Sequence, residues 1–259
     1  LARYAGRAQP LAGGTDLLVE LKEQLRRAEC VVNIKRIPGM DTLSYDAREG
    51  LRIGALVTAR EVELSPITLE KYSSLVQATR ELGSIQVRNR ATIVGNICRA
   101  SPSADTLPPL IADSASLRIV GGKGERTVRL EDFFTGPGKT VLAVDELVTE
   151  LVLPPPAPGT RKVYIKHGRR KAMELATVGV AVTWNADVKI VLGAVAPTPM
   201  RARKAEDLLR GRTLDEKLIA QAAKAAAAES RPISNVRASA EYRREMVEVL
   251  TRRALQRCI

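Results

Sequence analysis

The chain has few of the side chains that ligate metals or carry out acid–base catalysis. Its 259 residues include one histidine, His167, and three cysteines, Cys30, Cys98 and Cys258. A histidine pair, a histidine-ligated metal and a Ser-His-Asp relay are therefore strongly disfavoured. The cysteines lie far apart without a CxxC spacing, so we expect reduced thiols and no metal bound by this chain.

Long apolar runs are also missing. No run approaches the roughly 20 residues that span a bilayer, and the opening LARYAGRAQP lacks the apolar stretch of a signal peptide. These absences favour a cytoplasmic protein. Hydrophobic residues make up 45% of the chain and charged residues 27%, which is typical of a globular protein with a real core.

Aromatic residues are scarce, at 3%, while the net charge is +12. A strongly basic chain can bind nucleic acid, but few aromatic side chains are available here to stack on bases. The basic residues are dispersed in short groups, such as Arg26-Arg27 and Arg169-Arg170-Lys171, rather than gathered in an arm. The charge alone leaves open a nucleic acid, an acidic protein partner or an anionic ligand.

Prolines mark the clearest boundary. Pro154-Pro155-Pro156 follows a predicted strand, and three prolines fit an edge or a linker, not a central strand. Short strands and helices alternate before this point, which predicts an α+β region to about residue 156. After it, TVGVAVTW and KIVLGAV read as two strands joined at Asn185-Ala186-Asp187, and helical patterns follow.

Capping residues and apolar spacing predict the helices. Thr58 with Glu61, and Thr213 with Glu216, have the spacing of a capping box. Apolar spacing predicts helices over 69–82, 201–210 and 240–256, and a hairpin over 116–130. Two helical faces are expected to be apolar: Leu17, Leu18, Leu21 and Leu25 after a start at Thr15-Asp16, and Tyr242, Met246, Val249 and Leu250 near the C-terminus.

The segment LAGGTDLL has the parts of an anion site. It joins a strand end, two glycines that let backbone N–H groups approach a ligand, and the beginning of a helix whose dipole favours negative charge. It is neither the GxGxxG fingerprint nor a P-loop, and a Gly-Gly before a helix is more often only a tight turn.

A second segment, ATIVGNICRASPSAD, is predicted to be a loop of the same kind. Gly95 frees the backbone, while Thr92, Asn96 and two serines supply small polar groups. Asp105 either caps the next helix or accepts hydrogen bonds from a sugar. Two such loops fit a dinucleotide diphosphate with its ribose, and the residues do not separate FAD from NAD.

Six segments in order carry a resemblance to a known family: LAGGTDLL, LRIGALVTARE, RNRATIVGNICRASPSADTLPPLIA, YIKHGRRKAMELATVGVAV, GAVAPTPMRARKAEDLLRG and ASAEYRREMV. Together they resemble the FAD-binding subunits of molybdenum hydroxylases, the group of carbon monoxide dehydrogenase, xanthine dehydrogenase and hydroxybenzoyl-CoA reductase. The resemblance runs through nearly the whole chain.

The resemblance implies an α+β fold in two domains. The first, 1–156, is an FAD-binding domain of the vanillyl-alcohol oxidase type with subdomains of about 1–55 and 56–156. The second, 160–259, has a small antiparallel sheet and helices. It also implies partners: a large subunit with molybdopterin and a small subunit with two 2Fe-2S clusters, together forming a dimer of heterotrimers.

The resemblance also implies roles for particular residues. The first FAD segment is Leu11 to Leu17, with N–H groups on the diphosphate, and Asp105 matches an acid near the FAD ribose and diphosphate. Lys166 matches a lysine near the isoalloxazine, against the alternative of a solvated strand end. The full set of implied cofactor contacts is Leu11, Ala12, Gly13, Gly14, Thr15, Asp16, Leu17, Leu82, Thr92, Val94, Gly95, Asn96, Asp105, Val148 and Lys166.

The chain departs from the family pattern at several points. Val94 stands where the family's Thr-x-Gly-Gly-Asn segment has its first glycine, and a positive φ there would strain a β-branched residue. The chain starts close to the first segment, and the hairpin at 185–187 is short. The cysteine-bearing insertion of the hydroxybenzoyl-CoA reductases is absent, so FAD is the expected redox group of this chain.

These observations predict an electron-transfer flavoprotein subunit of a molybdenum hydroxylase. Electrons would pass from 2Fe-2S clusters in a partner through FAD to NAD, a quinone, oxygen or another acceptor, and no catalytic base is expected in this chain. A free-standing flavin oxidoreductase and a basic nucleic-acid-binding protein are the alternatives.

Overall fold

A computed structural model describes residues 1–259. The chain begins with a small βαβ unit. After a 3₁₀ turn at Ala2–Tyr4, strand β1 (Ala8–Leu11) and strand β2 (Cys30–Asn33) pair in parallel. Helix α1 (Leu17–Lys22) connects them and buries none of its residues. The predicted apolar face of this helix is therefore wrong: α1 ends before Leu25, and Leu18 and Leu25 are exposed.

A five-stranded antiparallel sheet forms the centre of the N-terminal half. Its order is β3-β4-β9-β5-β6, and its strands are β3 (Leu43–Asp46), β4 (Gly50–Gly54), β5 (Ser116–Gly121), β6 (Gly124–Arg129) and β9 (Leu147–Leu153). The two short strands β7 (Phe134–Gly136) and β8 (Lys139–Thr140) pair only with each other. Strands β3 and β4, which a division at about residue 55 assigns to the first subdomain, thus belong to the larger sheet.

Six helices accompany this sheet: α2 (Ala59–Leu64), α3 (Pro66–Lys71), α4 (Ser73–Arg80), α5 (Ile85–Arg88), α6 (Ile93–Arg99) and α7 (Leu107–Ala112). The capping box of Thr58 and Glu61 is confirmed at α2. The single helix predicted over 69–82 is instead the pair α3 and α4, interrupted at Tyr72, whose φ of −132° and ψ of 49° are not helical. Tyr72 is fully buried, and its hydroxyl donates to the Pro154 carbonyl at 2.9 Å.

The segment ATIVGNICRASPSAD is not a loop throughout, because residues 93–99 form α6. Thr92 caps this helix by accepting a hydrogen bond from the N–H of Gly95. Val94 lies within the helix and is absent from the residues with positive φ, so its β-branched side chain carries no backbone strain. The missing glycine of the family pattern is therefore not a conformational problem here.

The C-terminal part is a four-stranded antiparallel sheet covered by three helices. Its strands follow chain order: β10 (Arg161–His167), β11 (Val178–Trp184), β12 (Lys189–Gly193) and β13 (Met200–Arg201). The helices are α8 (Arg203–Leu209), α9 (Glu216–Glu229) and α10 (Ala240–Gln256). The α+β class with a C-terminal antiparallel sheet and helices is confirmed.

Two details of these helices differ from prediction. Helix α9 is capped by Asp215, which accepts from the N–H of Leu218, rather than by Thr213. Helix α10 turns Val247, Leu250 and Ala254 into the core, while Tyr242 is exposed. Arg243 is also buried. Its guanidinium donates to the carbonyls of Thr177 and Ala194 and to the side-chain oxygen of Asn235, and these three acceptors offset the cost of burying its charge.

The chain has two apolar cores that meet where the sheets approach each other. One core surrounds β4, β5 and β9 with helices α2, α4, α6 and α7. The other lies between the C-terminal sheet and helices α8, α9 and α10. Tyr164, Ala181 and Val191 of the C-terminal sheet pack in the first core, so the two halves share buried surface. None of the helices is long and apolar enough to cross a membrane.

Because β9 is the central strand, its side chains should contribute most to stability. We expect Leu151→Ala, at a fully buried position, to lower the free energy of unfolding by about 2–5 kcal/mol through lost burial and a new cavity. Val120→Ala provides a control on the neighbouring strand β5, where the side chain is 40% exposed. Urea denaturation measures both, and equal losses would contradict this description of the core.

Candidate functional site

A cavity of about 400 Å³ brings the two glycine segments together. The βαβ unit forms one side of it, and residues from α4 to α6, β9 and the loop after β10 form the other. Twelve predicted contact residues line it: Ala12, Gly13, Gly14, Thr15, Asp16, Leu17, Leu82, Thr92, Val94, Gly95, Asn96 and Val148. Its volume is in the range of small-molecule and cofactor sites.

Glycine is required at two positions of the first segment. A Cβ on Gly13 would lie 2.0 Å from the carbonyl oxygen of Arg90, so the two segments touch through backbone atoms there. Gly14 has a φ of +78°, a conformation that L side chains rarely adopt. These two constraints fix the turn before α1 and place it directly beside the second segment.

The turn leaves a run of backbone donors without partners. None of the N–H groups of residues 12–17 donates to an acceptor in the protein, and the first N–H to do so is that of Leu18, which donates to Gly14. Unpaired backbone N–H groups at the beginning of a helix favour an anion. In an exposed loop, such N–H groups form hydrogen bonds with water. Here the N–H groups of residues 12–17 belong to the wall of a cavity.

The second segment contributes polar groups held in place by neighbouring side chains. The Thr92 hydroxyl oxygen accepts a hydrogen bond from the Gly95 N–H at 3.0 Å. The Asn96 side-chain oxygen accepts from the Thr106 hydroxyl at 2.7 Å, which leaves its amide NH₂ as the available donor. Val94 adds an apolar side chain to the wall between these polar groups.

The remaining wall has one apolar and one polar part. Leu82, Val87, Leu147, Val148 and Leu175 supply the apolar part. The polar part contains Gln9, Glu20, Arg26 and Arg99, which sequence reasoning missed. These four have no motif of their own, since they come from a strand, a helix, a turn and a second helix that only the fold brings together.

Three predicted contact residues do not line the cavity: Leu11, Asp105 and Lys166. Leu11 packs beneath the turn at Gly14. Lys166 and Asp105 form a buried ion pair with a Nζ–Oδ2 distance of 2.9 Å. Asp105 caps no helix, since Thr106 precedes α7 and makes no side-chain cap bond.

The Lys166–Asp105 pair instead lies outside the cavity and holds the loops that carry part of its apolar wall. Lys166 Nζ also donates to the carbonyls of Glu81 at 3.1 Å and Glu174 at 2.7 Å. These residues directly precede Leu82 and Leu175 of the apolar wall. The Tyr164 hydroxyl donates to Asp105 at 2.7 Å, so one buried network holds both loops against strand β10.

Burial changes the acidity of this network. Desolvation raises the pKa of Asp105 to about 6, although the charge of Lys166 and the hydrogen bonds from Lys166 and Tyr164 favour the carboxylate.

His167, the single histidine, shares a hydrogen bond with the Tyr242 hydroxyl and lines no part of the cavity. No group of three or more histidine, cysteine or acidic residues is placed to hold a metal.

Comparison with known proteins gives family matches over both halves of the chain. Residues 1–156 match the FAD binding domain in molybdopterin dehydrogenase, and residues 163–258 match the CO dehydrogenase flavoprotein C-terminal domain. The xanthine dehydrogenase FAD-binding subunit of Escherichia coli O157:H7 is 30% identical, with 97% of this chain and 89% of that protein covered. The glyceraldehyde dehydrogenase medium chain of Sulfolobus acidocaldarius is 33% identical, with 96% and 89% covered.

A solved structure has the same fold. The carbon monoxide dehydrogenase of Hydrogenophaga pseudoflava, in a form that lacks the Mo-pyranopterin moiety of its molybdenum cofactor, matches with a TM-score of 0.93. The two chains are 32% identical, and the match covers 98% of this chain and 90% of the other. The likeness therefore extends over both domains.

The raised pKa of Asp105 predicts how stability depends on pH. Between about pH 4 and pH 6 the folded state holds a proton on Asp105 that the unfolded state has released, so ionisation costs stability as pH rises. We therefore compare the free energy of unfolding of the protein with that of Asp105→Asn. The difference, protein minus variant, should fall over this window and then stay level. Urea denaturation of both forms at pH 4, 5, 6 and 7 measures this; a relative stability that rises with pH would contradict it.

Proposed function

The chain belongs to the family of FAD-binding flavoprotein subunits of molybdenum hydroxylases, and on that premise we propose that it transfers electrons within such a complex. Electrons enter from 2Fe-2S clusters of a partner subunit and leave through FAD to an external acceptor. The observation that carries the proposal is the run of unpaired N–H groups at residues 12–17 on the cavity wall. Such a cradle suits the diphosphate of FAD.

The donor set and the wall fit the two chemically different parts of FAD. The turn at Gly13 and Gly14 presents backbone donors to negative charge, and Asn96 adds a side-chain amide. The apolar part, with Leu82, Val148 and Leu175, suits the flat isoalloxazine ring and keeps water from it. FAD, when bound, accepts two electrons and can release them one at a time.

The residues of this chain position the cofactor rather than move protons. Backbone N–H groups of the first segment would hold the diphosphate, and Val94 of α6 would add an apolar side chain to the wall around the cofactor. Lys166 and Asp105 hold the loops of Leu82 and Leu175 in place from outside the cavity.

We propose an assembly as well. The partners are a large molybdopterin-binding subunit and a small 2Fe-2S subunit, arranged as a dimer of heterotrimers in the cytoplasm. The medium chains among the relatives support this assembly, and the free thiols of Cys30, Cys98 and Cys258 fit a reducing compartment such as the cytoplasm. Neither a free-standing oxidoreductase nor a nucleic-acid-binding protein is favoured by any contact in the structure.

The visible spectrum and the native mass of the purified protein test this function. We expect the visible absorption of a bound oxidised flavin, and co-purification with a larger subunit that contains molybdenum and a smaller subunit that contains iron. A colourless chain would contradict the assignment. A yellow chain that oxidises an organic substrate alone would favour the free-standing oxidoreductase, and salt-sensitive binding to nucleic acid without a chromophore would favour the nucleic-acid-binding protein.

The first segment is tested by adding one negative charge to it. Gly14→Asp places a carboxylate among the unpaired N–H groups, and we expect it to lower FAD content at least tenfold because the carboxylate competes with and repels the diphosphate. Gly14→Asn is the matched control: its side chain has the same size and tolerates the φ of +78° similarly, without the charge. Wild-type flavin content in Gly14→Asp, measured after protein precipitation, would refute the role of this segment.

A further inference from the structure

The first 39 residues form a lobe that carries the first glycine segment but has little buried surface of its own. Helix α1 buries no residue, and within 1–39 only Ala8 and Ile34 are buried. Ile34 belongs to the core around β4, β5 and β9, and Ala12 and Val32 pack partly against that core. Apolar contact therefore anchors the lobe near Ile34, while α1 and the turn before it are held by other means.

Polar contacts between this lobe and the rest of the chain are concentrated at one side chain. Strands β1 and β2 pair only with each other, and no backbone hydrogen bond links residues 1–39 to residues beyond them. The only ion pairs across the boundary are made by Arg99. Its Nη2 lies 2.8 Å from Glu20 Oε1, and its Nε lies 3.9 Å from Asp16 Oδ1.

The acceptor of this contact is held firmly within the lobe. Arg26 Nε donates to the second oxygen of Glu20 at 2.7 Å, and Arg26 Nη1 donates to the Gln9 side chain at 2.9 Å. Glu20 is 14% exposed. A relay of four side chains thus runs from α6 through α1 to strand β1, and all four line the cavity.

Arg99 is placed so that this relay links the helices that carry the two glycine segments. It is the last residue of α6, the helix whose first residues carry Val94, Gly95 and Asn96. Its partner Glu20 lies one turn into α1, the helix that follows Gly13 and Gly14. Each glycine segment is continuous with one of these helices, so a contact between Arg99 and Glu20 restrains both segments at once.

We propose that Arg99 is a positioning residue that latches the N-terminal lobe across the cavity through Glu20 and thereby slows the release of the flavin. The latch rests on the proposed function for its ligand, but the contact itself is a property of the protein alone. Single exposed ion pairs contribute little to stability. This one differs because no other ion pair or hydrogen bond resists opening of the lobe.

The latch is tested first by flavin release from the assembled, FAD-loaded protein. We expect Arg99→Met and Glu20→Gln each to raise the FAD dissociation rate roughly tenfold, and the double variant to add little, since the Arg99–Glu20 contact is lost in both. Recovery of free-flavin fluorescence after dilution gives the rates. Arg99→Lys keeps the charge and should restore part of the slow release.

A matched variant separates the latch from general loss of an ion pair. Arg252 Nη2 donates to Glu248 Oε1 at 2.9 Å on helix α10, and neither residue lines the cavity, so Arg252→Met should release FAD at the wild-type rate. Wild-type release from Arg99→Met, or additive effects of Arg99→Met and Glu20→Gln, would overturn the latch while leaving the flavin assignment intact.

A second measurement does not need bound flavin. In the flavin-free protein we expect Arg99→Met to increase hydrogen exchange of residues 12–25 severalfold while exchange in β5 and β9 is unchanged. If the proposed function fails and no flavin binds, this result still supports or rejects the latch. Unchanged exchange at residues 12–25 would reject it.

Discussion

The cavity depends on a backbone contact between Gly13 and Arg90. Any side chain at Gly13 would collide with the Arg90 carbonyl oxygen, since a Cβ there would lie 2.0 Å away. The contact brings the turn before α1 against the segment that leads to α6. With Gly14 at positive φ, the chain then reverses so that six successive N–H groups remain unpaired. The donors, the shape of the site and its position between residues 1–39 and the rest of the chain follow from this approach.

The wall opposite the glycine segments is built by the C-terminal domain as well as by the first. Lys166 lies on β10, yet its ammonium group holds carbonyls in the loop after α4 and in the loop after β10. Burying this charge is tolerable because Asp105 and two carbonyls surround it. The same burial raises the pKa of Asp105. The C-terminal sheet therefore supports the site, although none of its strand residues lines the cavity.

Some errors of sequence reasoning have a common physical cause. Leu17, Leu18 and Leu25 have helical spacing, but the short α1 lies over a cavity and not over a core, so the apolar pattern does not report burial. Val94 replaces a glycine without strain because its position is helical. At Thr213 the capping pattern competes with Asp215 two residues later, and the aspartate is the residue that caps α9.

The sequence by itself determined the class of fold, the two glycine segments, the capping box at Thr58 and the C-terminal strands and helices. These features depend on local periodicity, turn chemistry and capping, which a few neighbouring residues specify. Only the tertiary structure decided that Asp105 pairs with Lys166 behind the wall and that Arg99 meets Glu20 across the cavity. Such contacts join residues distant in sequence, and the identity of a charged side chain does not say which partner the folded chain will bring to it.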